Sequence, residues 1–243
     1  MRNAVCLIAH YPREVWMEFL NKFIFYDIYM IVDDNSEDYT ELYSKKYPNI
    51  KFIQINNKNY TEHHFIDHDF LNEKIMGWHK SLYYFSTLNT IYEQVWFFED
   101  DVFFYNESSL QMIDVQYPQS HLLSNKLDIN TTGEKNYWHW YKITIHHPPP
   151  YYNGMMCCVR MSRELLYHIR EYATENKSLF FIEAMFPTLA KHHGLICDCP
   201  DELKHIYYRH IFQIKDIDKT HVYHPMKDYE LHGLLREQLK NKN

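Results

Sequence analysis

No apolar run in this 243-residue chain approaches the roughly 18 consecutive residues that a membrane span needs. The hydrophobic segment Ala4-Val5-Cys6-Leu7-Ile8-Ala9, directly after Met1-Arg2-Asn3, is too short for a signal sequence and lacks a cleavage site, so a core strand is expected there. A disulfide framework is also missing. The five cysteines are Cys6, the adjacent pair Cys157-Cys158, and Cys197 and Cys199, and no second pair stands at zinc-finger spacing from Cys197-Asp198-Cys199. Reduced thiols in a soluble, cytoplasmic protein are the expectation. Basic charge is in deficit: a formal net charge of -7 disfavours nucleic acid as a partner. It leaves open a phosphorylated small molecule, which needs only a metal or one lysine. No internal repeat and no Gly- or Ser-rich linker interrupts the chain, so residues 1–243 are expected to form one domain.

Aromatic residues, by contrast, are plentiful, at 17% with 22 tyrosines. Tyrosine suits sugar pockets because its ring offers an apolar face and a polar tip. AT-rich codon usage, which also raises Asn, Lys and Ile, is the better account of the excess as a whole.

The first hundred residues alternate strand-like and helix-like patterns. Strands are predicted at Ala4–Ala9, Ile28–Val32, Ile50–Ile55 and Val95–Phe98, with helices at Glu14–Phe25, Thr40–Lys46 and Asn72–Leu88. Such alternation builds a largely parallel sheet with helices on both faces. Ligands bind those sheets beyond the carboxyl ends of the strands, where Asp33-Asp34 and Glu99-Asp100-Asp101 fall. In the second half a strand is predicted at Met155–Arg160 and helices at Ser162–Tyr172 (Ser162 as N-cap), at Phe180–His192 despite Pro187, and at Met226–Lys240. His146-His147-Pro148-Pro149-Pro150 excludes helix and makes a stiff extended segment.

Glu99-Asp100-Asp101 lies between two apolar runs, Val95-Trp96-Phe97-Phe98 and Val102-Phe103-Phe104, with no basic residue in the segment. Three carboxylates in such surroundings are costly unless a cation compensates them. Mg²⁺ or Mn²⁺ with oxygen ligands does so, usually sharing its shell with substrate phosphates. An inert acidic turn is the alternative, although turns usually carry Gly, Asn or Pro and this one has none.

An aromatic and aliphatic strand ending in an acidic triplet resembles the DXD motif of nucleotide-sugar-dependent glycosyltransferases with the GT-A fold. That resemblance implies an α/β, Rossmann-like domain with a nucleotide-binding half (1–104) and an acceptor-binding half (105–243) closed by a C-terminal helix. It implies Asp101 as the direct metal ligand, with Glu99 and Asp100 serving ribose and the metal's waters. Ile31-Val32-Asp33-Asp34-Asn35-Ser36 is similar to the family's nucleotide-binding stretch, where an Asp contacts base or ribose and the Asn-Ser turn starts the next helix; Ala9-His10-Tyr11 would line the same pocket. A turn plus an N-cap is the bland reading. Lys80, in Gly77-Trp78-His79-Lys80, would meet the diphosphate or else be a solvated helix lysine.

Tyr151-Tyr152-Asn153-Gly154 looks like the family's flexible acceptor-side loop, with Trp138, Trp140, Tyr151 and Tyr152 as acceptor platform. Glu183 is the lone acid in the apolar stretch Phe180–Phe186, and a partly desolvated carboxylate suits a catalytic base. The family's usual Glu-Asp pair is here Glu183-Ala184. A late histidine, His221 or His224, would complete the metal shell, or both are surface residues. His63-His64-Phe65-Ile66-Asp67-His68-Asp69 superficially resembles a metal site but fits no zinc spacing, and 17 histidines make chance clusters common. His146-His147 and His192-His193 are expected at the surface or behind the site.

The expected function is therefore metal-dependent transfer of a sugar from a nucleotide-sugar, UDP by family habit, to a hydroxyl on a glycan or other acceptor, with inversion. A retaining enzyme of the same fold and a non-catalytic nucleotide-sugar- or glycan-binding module remain as alternatives. A sugar nucleotidyltransferase is disfavoured because no Gly-rich basic loop follows the first strand. The resemblance, without an anchor, implies a soluble bacterial enzyme or a viral one acting in host cytoplasm.

Overall fold

The computed structural model describes residues 3–67 and 76–241. In chain order the first half comprises β1 (Asn3–Ala9), α1 (Glu14–Leu20), β2 (Asp27–Val32), α2 (Tyr39–Tyr43), β3 (Ile50–Gln54), α3 (Asn57–Glu62), α4 (Met76–Tyr83) and β4 (Gln94–Glu99). The second half comprises α5 (Glu107–Gln116), β5 (Leu122–Leu123), β6 (Asp128–Asn130), β7 (Tyr151–Asn153), β8 (Cys158–Ser162), α6 (Arg163–Asn176), α7 (Ile182–His192), β9 (Cys197–Asp198), β10 (His205–Ile206), β11 (Tyr223–His224) and α8 (Tyr229–Asn241).

Seven strands form one sheet in the order β3-β2-β1-β4-β8-β5-β9. β1 to β4 run parallel, and β8 joins β4 antiparallel. The α/β class and the mostly parallel sheet are as the alternation predicts. Successive residues of each strand enter opposite layers: Cys6, Val95 and Phe97 on one side, Val5, Leu7, Trp96 and Phe98 on the other. Strands apolar on both faces are the mark of a sheet covered on both sides. Among the described residues no helix is long and apolar enough to cross a membrane, and all five cysteines are free.

Some boundaries differ from expectation. The first helix stops at Leu20 rather than Phe25. Of the helix expected at Asn72–Leu88, residues 72–75 lie outside the described residues; Met76–Tyr83 is α-helical and widens to a π-turn at Tyr84–Leu88. α3 and α5 were not foreseen, because neither has a strong apolar stripe; each is started by an asparagine cap, Asn56 and Asn106. The strand expected from Met155 begins at Cys158. Tyr151–Asn153, expected as part of a flexible loop, is strand β7 paired antiparallel with β6. α6 starts as predicted, with the Ser162 hydroxyl accepting from the Leu165 amide at 3.1 Å.

Two local features aim the strand ends at the future site. Asp114 on α5 collects Arg160 Nη1 (2.6 Å), Trp96 Nε1 (3.0 Å) and the Tyr26 hydroxyl (2.6 Å), which fixes β4 and β8 over α5. Gly77 lets α4 lie against β1, since a Cβ there would stand 2.7 Å from Ile8 Cγ2. Gly77→Val is expected to push α4 off the sheet and to cost about 1–3 kcal/mol by overpacking. Chemical denaturation checks this, and an unchanged midpoint would refute the close approach.

Candidate metal and donor site

β4 ends at Glu99, and Asp100-Asp101 form a tight turn closed by the Val102 amide donating to the Glu99 carbonyl at 3.1 Å. The three acids leave this turn in different directions. Glu99 Oε1 accepts from Trp78 Nε1 on α4 at 2.8 Å. Asp100 turns toward α1 and α8: its carbonyl accepts from Trp16 Nε1 at 2.7 Å, Arg13 Nε lies 3.4 Å from its Oδ2, and the Tyr229 hydroxyl reaches its carboxylate. The Asp101 carbonyl accepts from the Met226 amide at 2.6 Å, while its buried Oδ1 lies 3.2 Å from His224 Nε2, an ion pair when that ring is protonated.

The two late histidines part company. His224, on β11, is buried, and its Nδ1 is 2.7 Å from the Tyr207 carbonyl. A carbonyl only accepts, so Nδ1 carries the proton, and Nε2 of the neutral ring points a lone pair at the Asp101 carboxylate. That contact is repulsive unless a proton or a metal cation intervenes. His221 has its Nδ1 2.8 Å from Asp218 and its Nε2 3.4 Å from Asp201, so both ring nitrogens are engaged away from the acidic turn.

A further side chain joins the cluster. Ligand atoms of Glu99, Cys157 and His224 lie within 4.8 Å of one another, a grouping able to hold a metal. Glu183, in the first turn of α7, is half-buried close to Glu99, Cys157 and His224. Pro187 lies within α7 and has no amide to give the Glu183 carbonyl four residues back. The Gly154 amide donates to that carbonyl instead, at 3.0 Å. The helix-breaking residue therefore ties the acceptor-side segment to Glu183.

The electrostatics follow from crowding like charges out of water. Burial raises the pKa of Glu99; the Trp78 hydrogen bond opposes this and the Asp101 charge adds to it. Asp100 is also raised, by burial first, against the Tyr229 and Arg13 contacts. Glu183 is pushed up to about 7, by burial and then by the Glu99 charge, with His224 opposing. For His224 burial works downward, yet Asp101 and Glu99 outweigh it and the ring is held above its ordinary value. The donor set able to hold a cation is the Glu99 carboxylate, the Cys157 thiol and the His224 imidazole, and Asp101 borders it through His224 Nε2 at 3.2 Å.

Beside β4 on the same carboxyl edge, β1 hands over to His10 and Tyr11, both exposed. The Asp33 amide donates to the Ala9 carbonyl (2.9 Å) and the Asp34 amide to the His10 carbonyl (3.1 Å), so the two stretches line one edge. Asp33 Oδ1 is 2.7 Å from Lys80 Nζ, and Lys80 is fully buried. Lys80 is thus neither a solvated helix lysine nor, in this arrangement, directed at a diphosphate; it neutralises Asp33. Asp34 Oδ2 accepts from the Ser36 amide and hydroxyl and from Tyr39. These contacts hold its carboxyl below the usual range, the Ser36 hydroxyl first. The next helix is capped not by the Asn-Ser turn but by Asp38, which accepts from the Glu41 amide at 2.9 Å.

The acceptor-side aromatics separate by burial. Trp140 is buried in the core beside Tyr151, whose hydroxyl donates to the His147 carbonyl, so neither ring is free as a platform face. Trp138, Tyr152, Asn153 and Gly154 are only partly buried. In the His63–Asp69 stretch, His68 and Asp69 lie outside the described residues, and His63 Nδ1 bonds the Asn59 carbonyl of its own helix. His147 stacks on His192 at 5.1 Å, and neither belongs to the grouping of Glu99, Cys157 and His224. Sequence reasoning missed Cys157; its one signal was position, directly before the strand that neighbours β4.

No protein-family model matches the chain, and no curated protein matches it. Among solved structures, 4-diphosphocytidyl-2C-methyl-D-erythritol synthase from Anaerococcus prevotii is similar over 99% of this chain and 97% of its own, with a TM-score of 0.50 and 10% identity. Mouse xyloside xylosyltransferase 1 in its apo form is similar over 82% and 85%, with a TM-score of 0.40 and 10% identity. At that identity the first likeness shows the shared fold alone, and the second is too distant to add to it.

Glu183, Glu99 and His224 all have pKa values raised in the folded chain. A raised folded-state pKa means that the folded form binds protons more tightly than the unfolded one, so stability is greatest at low pH and is lost as pH rises. For Glu183 the window runs from the ordinary carboxylate range to about 7. The melting temperature of the metal-free protein is expected to fall across that window, and Glu183→Gln to flatten the fall. An identical profile in the variant would show that Glu183 titrates elsewhere.

Proposed function

We propose that this chain is a metal-dependent glycosyltransferase that moves a sugar from a nucleotide-sugar donor, a UDP-sugar by family habit, to a hydroxyl acceptor with inversion. The observation that carries the reading is the convergence of Asp101, Glu99, His224 and Glu183 beyond the carboxyl end of β4. These groups come from three separate parts of the chain.

Asp101 Oδ1, His224 Nε2 and Glu99 would hold Mn²⁺ or Mg²⁺. When bound, the ion would supply the positive charge that the leaving diphosphate requires. His10, Tyr11 and the Asp33-Asp34 edge would face base and ribose. The Lys80 ion pair would fix the Asp33 backbone rather than touch phosphate. Asp100, held by Arg13 and Tyr229, would join that edge through hydrogen bonds to ribose or metal-bound water. On the opposite side, Glu183 would take the proton of the acceptor hydroxyl as it attacks the anomeric carbon. Trp138, Tyr152, Asn153 and Gly154 would frame the acceptor, with Trp140 and Tyr151 packed behind them. Nucleotidyl transfer, the neighbour synthase notwithstanding, is disfavoured because β1 exits through Ala9-His10-Tyr11-Pro12-Arg13 with no glycine to wrap a triphosphate.

Two variants test the assignment. Asp101→Asn is expected to abolish Mn²⁺-dependent stabilisation by UDP in a thermal-shift titration, a mass-action readout of binding; unchanged affinity would sink the metal role. Glu183→Gln should bind donor normally and transfer about 10²–10⁴-fold more slowly. Retained turnover would place the base elsewhere, and product anomer analysis by NMR decides between inversion and retention.

A further inference from the structure

We propose that Cys157 is a ligand of the ion at this site, which makes the centre a mixed oxygen, nitrogen and sulfur set that takes a thiophilic ion such as Zn²⁺ or Co²⁺ in preference to Mg²⁺. The inference rests on the metal reading above and extends it to the chemical class of the ion. Ligand atoms of Glu99, Cys157 and His224 lie within 4.8 Å of one another. Ligands held at roughly 2.0–2.3 Å around one zinc-like ion are separated by about that distance or less.

The backbone places the thiol there. The Glu99 amide donates to the Cys157 carbonyl at 3.0 Å, one step beyond the last β4–β8 register pair, Phe98↔Cys158. Cys157 thus stands opposite Glu99 where both strands open into the site. Cys157 and Cys158 both border the same apolar layer, but Cys157 is the one grouped with Glu99 and His224, and Cys197 and Cys199 sit at or just beyond β9, at the far edge of the sheet. Around the three donors, Trp78 Nε1 holds Glu99 Oε1 and the Tyr207 carbonyl holds His224 Nδ1. Such supporting contacts orient metal ligands.

Binding would break the S–H bond, give the sulfur electron pair to the ion and release one proton to solvent; nothing is oxidised or reduced. A buried thiolate is a poor ligand for magnesium, which favours oxygen and near-ideal octahedral geometry. Thiolate and imidazole together suit zinc and its analogues.

Cobalt(II) reports the sulfur directly. Added to the metal-free protein of residues 1–243, Co²⁺ is expected to give a near-ultraviolet thiolate-to-cobalt charge-transfer band. Cys157→Ser should lose the band and bind Co²⁺ at least about tenfold more weakly, with Mg²⁺ affinity unchanged. Cys199→Ser should keep it. Cobalt binding without the band, or a band that survives in Cys157→Ser, would overturn the proposal. Should the Cys157 variant fail to fold, the presence or absence of the band in the wild-type protein decides between sulfur ligation and its absence. Absence of any cobalt binding would overturn the metal reading as well. A band in a protein that transfers no sugar would support Cys157 as a ligand and strike down the transferase reading instead.

Discussion

The rest of this structure depends on carboxylates held close together where an apolar strand ends. β4 brings four fully buried apolar residues to Glu99, and the turn after it adds two more acids with no cation of its own. Each nearby charge is then disposed to limit the repulsion. Asp100 is turned away to Arg13, Glu99 is hydrogen-bonded by Trp78, and Asp101 faces His224. Raised pKa values at Glu99, Asp100 and Glu183 show that the compensation is incomplete, burial being the leading cause each time. In the function proposed above, a divalent cation would supply the compensation that is missing.

The same constraint explains why the second half of the chain takes its irregular course. β8 runs antiparallel beside β4 and so starts, rather than ends, at the carboxyl edge of the parallel strands. That reversal delivers Cys157 to Glu99. β11 pairs with β10, and its His224 reaches Asp101 because Phe103 and Tyr223 form a bridge of two backbone hydrogen bonds at 2.8 Å just beyond the acidic turn. Pro187 leaves the Glu183 carbonyl to Gly154, which joins the start of α7 to the segment that follows β7. Short, irregular pieces are fixed one by one to the rigid edge of a sheet, and the chemistry is assembled from them.

Much was legible in advance because it is written in local patterns. The alternating apolar runs predict the parallel strands, since a strand covered on both faces has no polar side. Ser162 as a cap and Glu183 as a lone acid in an apolar helix could be read from single positions. α3 and α5 could not, because they hold their places through asparagine caps and a few contacts rather than through a strong apolar stripe. Trp140 and Tyr151 looked like a platform because aromatic residues serve binding and packing equally well; the sequence does not say which face meets solvent.

The sequence by itself determined the four parallel strands and the position of the acidic triplet at the end of one of them. Both follow from periodicity and chain order within short stretches. Only the tertiary structure set His224 rather than His221 beside Asp101, paired Lys80 with Asp33, and brought Cys157 beside Glu99. Those choices depend on which distant residues become neighbours when the chain folds. His224 is 123 positions from Asp101 in the chain yet 3.2 Å away in space. No local pattern encodes such a contact; it arises when β11 docks against the end of the strand that carries the acids.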